Sequence, residues 1–131
     1  MRLVLDASAA IEVVLRRTKA AAFAQALGEA DEVLAPDLFV AEVVNTVWKY
    51  HQFESLDLNA CDRALEHALS LIDALVPCKE LYREAFLLAR SARRPAYDMF
   101  YLSLARREDA SFLTTDSALK KEAARQGIRT L

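Results

Sequence analysis

The run Leu3-Val4-Leu5, closed by the carboxylate of Asp6, constrains the fold more than any other feature of the chain. Successive side chains of a strand point to opposite faces, so three apolar residues in a row demand cover on both sides. Antiparallel sheets commonly leave one face to water, whereas a strand inside a parallel sheet has helices above and below it. Leu3-Val4-Leu5 therefore reads as a central strand of a parallel sheet, and the chain after it must make a crossover before pairing again.

The rest of the sequence supplies those crossovers. A helical pattern runs over residues 8–28, broken near Arg17-Thr18, and Val33-Leu34-Ala35 offers a second short strand stopped by Pro36. Residues 37–51 contain Leu38-Phe39-Val40-Ala41-Glu42-Val43-Val44-Asn45-Thr46-Val47-Trp48, apolar almost all round, which predicts a buried helix despite its β-branched residues. Amphipathic helices are expected over 59–70 and 79–93, flanking a short strand at Ala74-Leu75-Val76. Pro95 introduces a helix over 98–108, Phe112-Leu113-Thr114 is a strand, and residues 117–126 form a helix ended by Gly127. Ile128-Arg129-Thr130 is expected as a last, edge strand. The alternation predicts a single α/β domain, residues 1–131, whose mainly parallel sheet carries helices on both faces. Ligands of such folds bind outside the carboxyl ends of the strands.

Composition narrows the function classes less than it narrows the fold. With 131 residues, 54% of them hydrophobic, the chain can bury one substantial core but not two. A net charge of −2 looks unfavourable for binding a phosphate polymer, yet four carboxylates neutralised in a metal site would leave the remainder at +2. Bulk charge therefore excludes neither reading. Cys61 and Cys78 lack any metal-ligand or redox spacing and read as free thiols in a reducing cytoplasm. Asp6 arrives too early for the apolar core of a signal peptide, and no stretch approaches the roughly 20 apolar residues that span a bilayer. A cytoplasmic protein with no membrane association is expected.

Four carboxylates carry the functional reading. Asp6 and Asp116 each stand between a strand and a helix, where a helix-capping role alone would explain them. Both, however, leave the carboxyl ends of strands expected to lie parallel in one sheet, so both face the same crevice. Glu42 interrupts an apolar helix, where an unpaired carboxylate would cost on the order of several kcal/mol. The alternative places Glu42, Asn45, Thr46 and Lys49 on a narrow solvent stripe of that helix. Asp98 precedes Tyr101, Leu102 and Ala105 at helical spacing on one apolar side, with Ser103, Arg106 and Arg107 on the solvent side, so its carboxylate points inward. Negative charge at a helix start is the alternative for Asp98.

Together the four acids imply more than any one of them. Carboxylates gathered within a few ångströms repel one another and raise some of their pKa values unless a cation compensates them. An all-oxygen ligand set suits Mg²⁺ or Mn²⁺ and disfavours Zn²⁺. Ser8 and Thr115, beside two of the acids, and Asn45, one turn from Glu42, are placed to hydrogen-bond the carboxylates or a water held by the ion. Either hydroxyl serves equally as a turn residue.

At this point the sequence resembles the PIN-domain family, in particular the small single-domain VapC-like ribonuclease toxins of bacterial type II toxin–antitoxin pairs. The resemblance rests on Val4-Leu5-Asp6-Ala7-Ser8, Ala41-Glu42-Val43-Val44-Asn45, Ala96-Tyr97-Asp98-Met99-Phe100-Tyr101-Leu102-Ser103-Leu104-Ala105 and Leu113-Thr114-Thr115-Asp116. Their order and spacing cover nearly the whole chain. The resemblance implies a three-layer α/β/α sandwich and a metal-dependent ribonuclease, with Asp6, Glu42, Asp98 and Asp116 as its catalytic, metal-binding acids. It further implies hydrolysis of RNA to a 5′-phosphate and a 3′-hydroxyl by one or two Mg²⁺ (or Mn²⁺) ions that activate water and stabilise the leaving oxygen. A homodimer and a small antitoxin that covers or enters the pocket are implied as partners. One departure is Met99, where toxin-like members often carry a small residue; a bulky side chain there is expected to narrow access to the pocket.

Other residues fit several roles. Arg16, Arg17 and Lys19, or Arg93 and Arg94, could hold substrate phosphates, although each fits a solvated charged face as well. Tyr97 could stack on a base, and Trp48 is expected in the core. His51 and His67 have no partner at ligand spacing and read as structural or surface residues. Two other classes compete: a Mg²⁺-dependent phosphoryl-transfer protein built on an Asp nucleophile, and a non-catalytic binding module for nucleic acid or protein on the same scaffold. The first is disfavoured by Ser8, where a haloacid-dehalogenase-like site would want a second acid, and by Pro77-Cys78, where a receiver-like domain would want its Asp. Retention of all four acids disfavours the second.

Overall fold

A computed structural model describes residues 1–131. Four short strands, β1 (Arg2–Leu5), β2 (Glu32–Pro36), β3 (Ala74–Val76) and β4 (Ser111–Leu113), form one parallel sheet in the order β3-β2-β1-β4. Six helices connect them, α1 (Ala7–Val14), α2 (Ala20–Glu29), α3 (Leu38–Glu54), α4 (Leu58–Ser70), α5 (Tyr82–Ala92) and α6 (Ala96–Arg107), and α7 (Ser117–Arg125) follows β4. The architecture is a three-layer α/β/α sandwich. Leu3, Val4 and Leu5 are wholly inaccessible, as a strand covered on both faces requires.

Strand order decides where a site can form. The chain builds outward from β1 to β2 to β3, then returns to lay β4 on the other side of β1. Connections leave β1 and β4 in opposite directions, which opens a crevice at their carboxyl ends. Leu5 is paired with Leu113 across this junction, and the Asp6 amide continues the ladder by donating to the Leu113 carbonyl at 3.2 Å. α6 packs against β1, β2 and β4, with α5 against α6, while α1 contacts α2, α3 and α4.

Local chemistry explains most element ends. The helical pattern over 8–28 breaks where Arg16 adopts the left-handed region (φ 54°), separating α1 from α2. Arg93 takes the same region (φ 55°) as the residue ending α5, and Pro95 opens α6 two residues later. Gly127 (φ 78°) follows α7, where a side chain would be strained.

Four expectations are corrected. α3 is buried only along Phe39, Val43 and Val47, at i, i+4 and i+8; Val44 and Trp48 face solvent, and Trp48 is half exposed, packed edge-on against Phe53 at 5.9 Å. Composition alone could not separate a helix buried all round from one that presents an apolar outer face. Ser103, assigned to the solvent side, is wholly buried in α6, a helix packed against both the sheet and α5. The terminal strand at 128–130 reduces to a single parallel bridge between Phe112 and Thr130. Met99 is wholly buried in the core and does not line the crevice, since one residue along a helix turns its side chain by about 100° from that of Asp98.

Candidate active site

At the β1/β4 junction lies a cavity of about 390 Å³ that all four predicted acids line. Asp6 follows β1 and Asp116 precedes α7, each capping the helix after its strand. Asp6 Oδ1 accepts from the Ala9 amide at 2.9 Å and the Ser8 hydroxyl at 2.7 Å, and Asp116 Oδ1 accepts from the Ala118 and Leu119 amides at 2.9 and 3.0 Å. The capping alternative was therefore correct for both without excluding the pocket role. In each, it is Oδ1 that serves the helix.

Glu42 and Asp98 enter from helices. The polar stripe Glu42, Asn45, Thr46 and Lys49 runs along one side of α3, and all four residues line the cavity, so the stripe faces the pocket. Glu42 Oε1 accepts a 2.6 Å hydrogen bond from the Tyr101 hydroxyl of α6. Asp98, in the first turn of the same helix, lies 3.4 Å from a guanidinium nitrogen of Arg94, which also stands 3.8 Å from Asp116.

The electrostatics record how closely the acids share this space. Burial pushes Asp6 up to about 6, against opposing hydrogen bonds from Thr114, Ala9 and Ser8, and the charge of Asp98 adds to the rise. Burial also raises Glu42; Tyr101 restrains it, and the charges of Asp6 and Asp98 push it further. Asp98 is raised by burial, held back by Arg94, and raised again by Asp116. Asp6, Glu42 and Asp98 are thus each raised by burial and by the charge of a neighbouring acid, as expected of carboxylates gathered in one pocket. The Tyr101 phenol is raised far above its ordinary value, first by burial and then by Glu42, so it remains a donor.

The donor chemistry fits a hard divalent cation, since the lining offers carboxylate, hydroxyl and amide oxygens and no His or Cys. The present rotamers do not gather three of the acids tightly enough to grip one ion. Glu42 is engaged by Tyr101, and Asp98 and Asp116 by Arg94.

Some supporting residues differ from those expected. The Ser8 hydroxyl lies 3.4 Å from the Thr114 hydroxyl and accepts from the Thr115 amide at 3.1 Å, so the buried hydroxyl behind Asp6 is that of Thr114, and Thr115 contributes its backbone. Asn45 lines the cavity as expected. Tyr101 was counted only as part of the apolar side of α6, although its i+3 spacing from Asp98 was the available signal. Arg17 stacks on the Tyr50 ring at 5.2 Å, and His51 bonds the Leu56 carbonyl at 2.7 Å. Tyr97 is exposed on the rim.

The chain matches the family described as PIN domain over residues 3–124 and belongs to that family. It is 29% identical over 124 residues to Ribonuclease VapC3 of Pyrobaculum aerophilum, covering 93% of this chain and 95% of that protein. The crystal structure of PAE2754 from the same organism superposes with a TM-score of 0.71 at 20% identity, covering 99% of this chain and 83% of the other. VapBC2 from Rickettsia felis, bound to a DNA fragment from its promoter, gives 0.68 at 16% identity, with 100% and 98% coverage. FitAcB from Neisseria gonorrhoeae gives 0.60 at 18%, with 98% and 96%.

Proposed function

We propose that this protein is a metal-dependent endoribonuclease and the toxin of a toxin–antitoxin pair. The observation that carries this reading is the meeting of Asp6, Glu42, Asp98 and Asp116 in one cavity at the sheet's switch point, in a chain that belongs to the PIN family. Likeness to a ribonuclease over almost the full length of both chains supports RNA as the substrate.

Asp6, Glu42, Asp98 and Asp116 would hold Mg²⁺ or Mn²⁺, which would supply Lewis-acid activation of water and charge stabilisation at the scissile phosphate. The chain's own residues orient that chemistry. Ser8, Thr114 and the Ala9 amide fix the Asp6 carboxylate, and Tyr101 fixes Glu42. Lys49 and Tyr97 are exposed and both line the cavity, where an ammonium can take a phosphate and an exposed ring can take a base. The P–O3′ bond breaks, the hydroxyl of water goes to phosphorus as the new 5′-phosphate, and its proton goes to the 3′-oxygen.

The VapBC and FitA–FitB likenesses support a small antitoxin as the partner of this chain. Self-association is supported by Tyr82, Phe86 and Leu87, which form an exposed apolar patch on α5. No helix is long and apolar enough to cross a membrane. A toxin acting on RNA would work in the cytoplasm.

Cleavage of RNA by purified protein, with and without Mg²⁺ or Mn²⁺, tests the reading against Asp98→Asn. Metal-dependent cleavage by the wild type and its loss in the variant are expected. Equal cleavage by both would sink the assignment, and no cleavage by either would favour a binding module.

A further inference from the structure

The four acids are not held alike. Asp6 and Glu42 are fixed by neutral donors, namely hydroxyls, a phenol and an amide, which orient a carboxylate and leave its charge in place. Asp98 and Asp116 share a cation instead: one guanidinium nitrogen of Arg94 lies 3.4 Å from the first and 3.8 Å from the second. A single positive group between two carboxylates offsets charge that a cation shared by them would otherwise offset.

Arg94 reaches that position from a fixed base. The link between α5 and α6 runs through left-handed Arg93 to Pro95, and the Arg94 amide donates to the Ala89 carbonyl at 3.2 Å. Its guanidinium, by contrast, has no hydrogen-bonding socket of its own. Nε is buried without a partner, and both carboxylate contacts are longer than the roughly 2.7–2.9 Å of a strong charge-assisted bond. A planar fork of five donors that makes only two long contacts is held by the field of the acids rather than by fit. Such a group serves as a counter-ion to the acids.

Charge balance points the same way. With all four acids ionised, the carboxylates and Arg94 together carry three negative charges. One divalent ion leaves one negative charge, whereas a second would make the cluster positive beside Lys49.

We infer that Arg94 is a resident counter-ion standing where a second divalent cation would bind between Asp98 and Asp116, so that the RNA-free protein loads one metal ion. Arg94 is then a positioning residue, setting how many ions the pocket accepts. The inference rests on the metal-dependent reading but concerns stoichiometry and affinity, which are measured apart from cleavage.

The test is calorimetric titration of the full-length protein with Mn²⁺ in the absence of RNA, for wild type, Arg94→Gln and Arg94→Lys, each checked for cooperative thermal unfolding. One ion per chain is expected for the wild type. Arg94→Gln should take a second ion and bind the first about five-fold more tightly, the scale of a partly exposed ion pair. Arg94→Lys keeps the charge and should return to one ion. Two ions on the wild type, or unchanged stoichiometry and affinity in Arg94→Gln, would overturn the inference, and Mn²⁺-dependent cleavage in that case would leave the nuclease reading standing. Absence of Mn²⁺ binding in all three proteins would overturn both.

Discussion

Asp6 and Asp116 are the same device placed at the centre and at the edge of one sheet. Each ends a parallel strand, caps the next helix through one carboxylate oxygen and lines the cavity with the rest. Asp6 is 7% exposed and its carboxyl is pushed up to about 6 by burial, whereas the Asp116 side chain is 47% exposed. The difference lies in the strands. β1 is flanked by β2 and β4, while β4 has β1 on one side and only the Phe112–Thr130 bridge on the other. Identical local chemistry acquires a desolvated, energetically costly carboxylate in one place and a solvated one in the other.

That contrast can be broken most sharply at Asp6. Asp6→Asn keeps an oxygen for the Ala9 amide and Ser8 hydroxyl but removes the charge. Metal-dependent cleavage should fall by roughly 100-fold or more, above the 10–100-fold typical of groups that merely support a ligand. Metal-free stability should move the other way. The folded state holds the Asp6 proton more tightly than the unfolded chain, whose Asp pKa is 3.8. Its contribution is therefore complete below about pH 3.8 and is lost as pH rises through about 6. At pH 7 the ionised group costs on the order of 3 kcal/mol, so Asp6→Asn should be more stable by up to that amount. Parallel stability curves for the two proteins across pH 4–7 in chelator would show that burial does not shift this carboxyl.

Tyr101→Phe probes the helix-borne side of the pocket. Removing the donor to Glu42 should cost about 1.5 kcal/mol in denaturant unfolding, the scale of a hydrogen bond to a charged group, and weaken Mn²⁺ binding about ten-fold through a less ordered Glu42. Unchanged Mn²⁺ affinity would reduce the phenol to a packing residue.

The smallest effect belongs to the edge. Asp116→Ala deletes a cap that bonds two amides and should cost about 1 kcal/mol of stability, whereas Asp116→Asn keeps an accepting oxygen and should cost a few tenths at most. If both variants unfold at the same denaturant concentration as the wild type, the capping bonds contribute nothing measurable.

Much of this was legible in order and type of residue. Leu3-Val4-Leu5 specified a doubly covered strand, and each later strand and helix except the terminal edge strand lies within a few residues of its expected place. Asp6, Glu42, Asp98 and Asp116 were readable as site candidates because carboxylates at strand ends and on helix interiors need a reason to be there. Trp48 was misplaced because an apolar run does not disclose which of its faces meets a neighbour. Met99 and Ser103 were misplaced because helix phase alone leaves undetermined where α5 and the crevice lie around α6.

The pairing of Tyr101 with Glu42 spans 59 positions, and that of Ser8 with the Thr115 amide spans 107. Periodicity and capping act within a few residues, so the sequence by itself determined the elements, their order and the acids they carry. Only the tertiary structure decided which acid is desolvated and which cation stands beside it. Those outcomes depend on strand order and on groups brought together from distant parts of the chain, and no local pattern encodes that proximity.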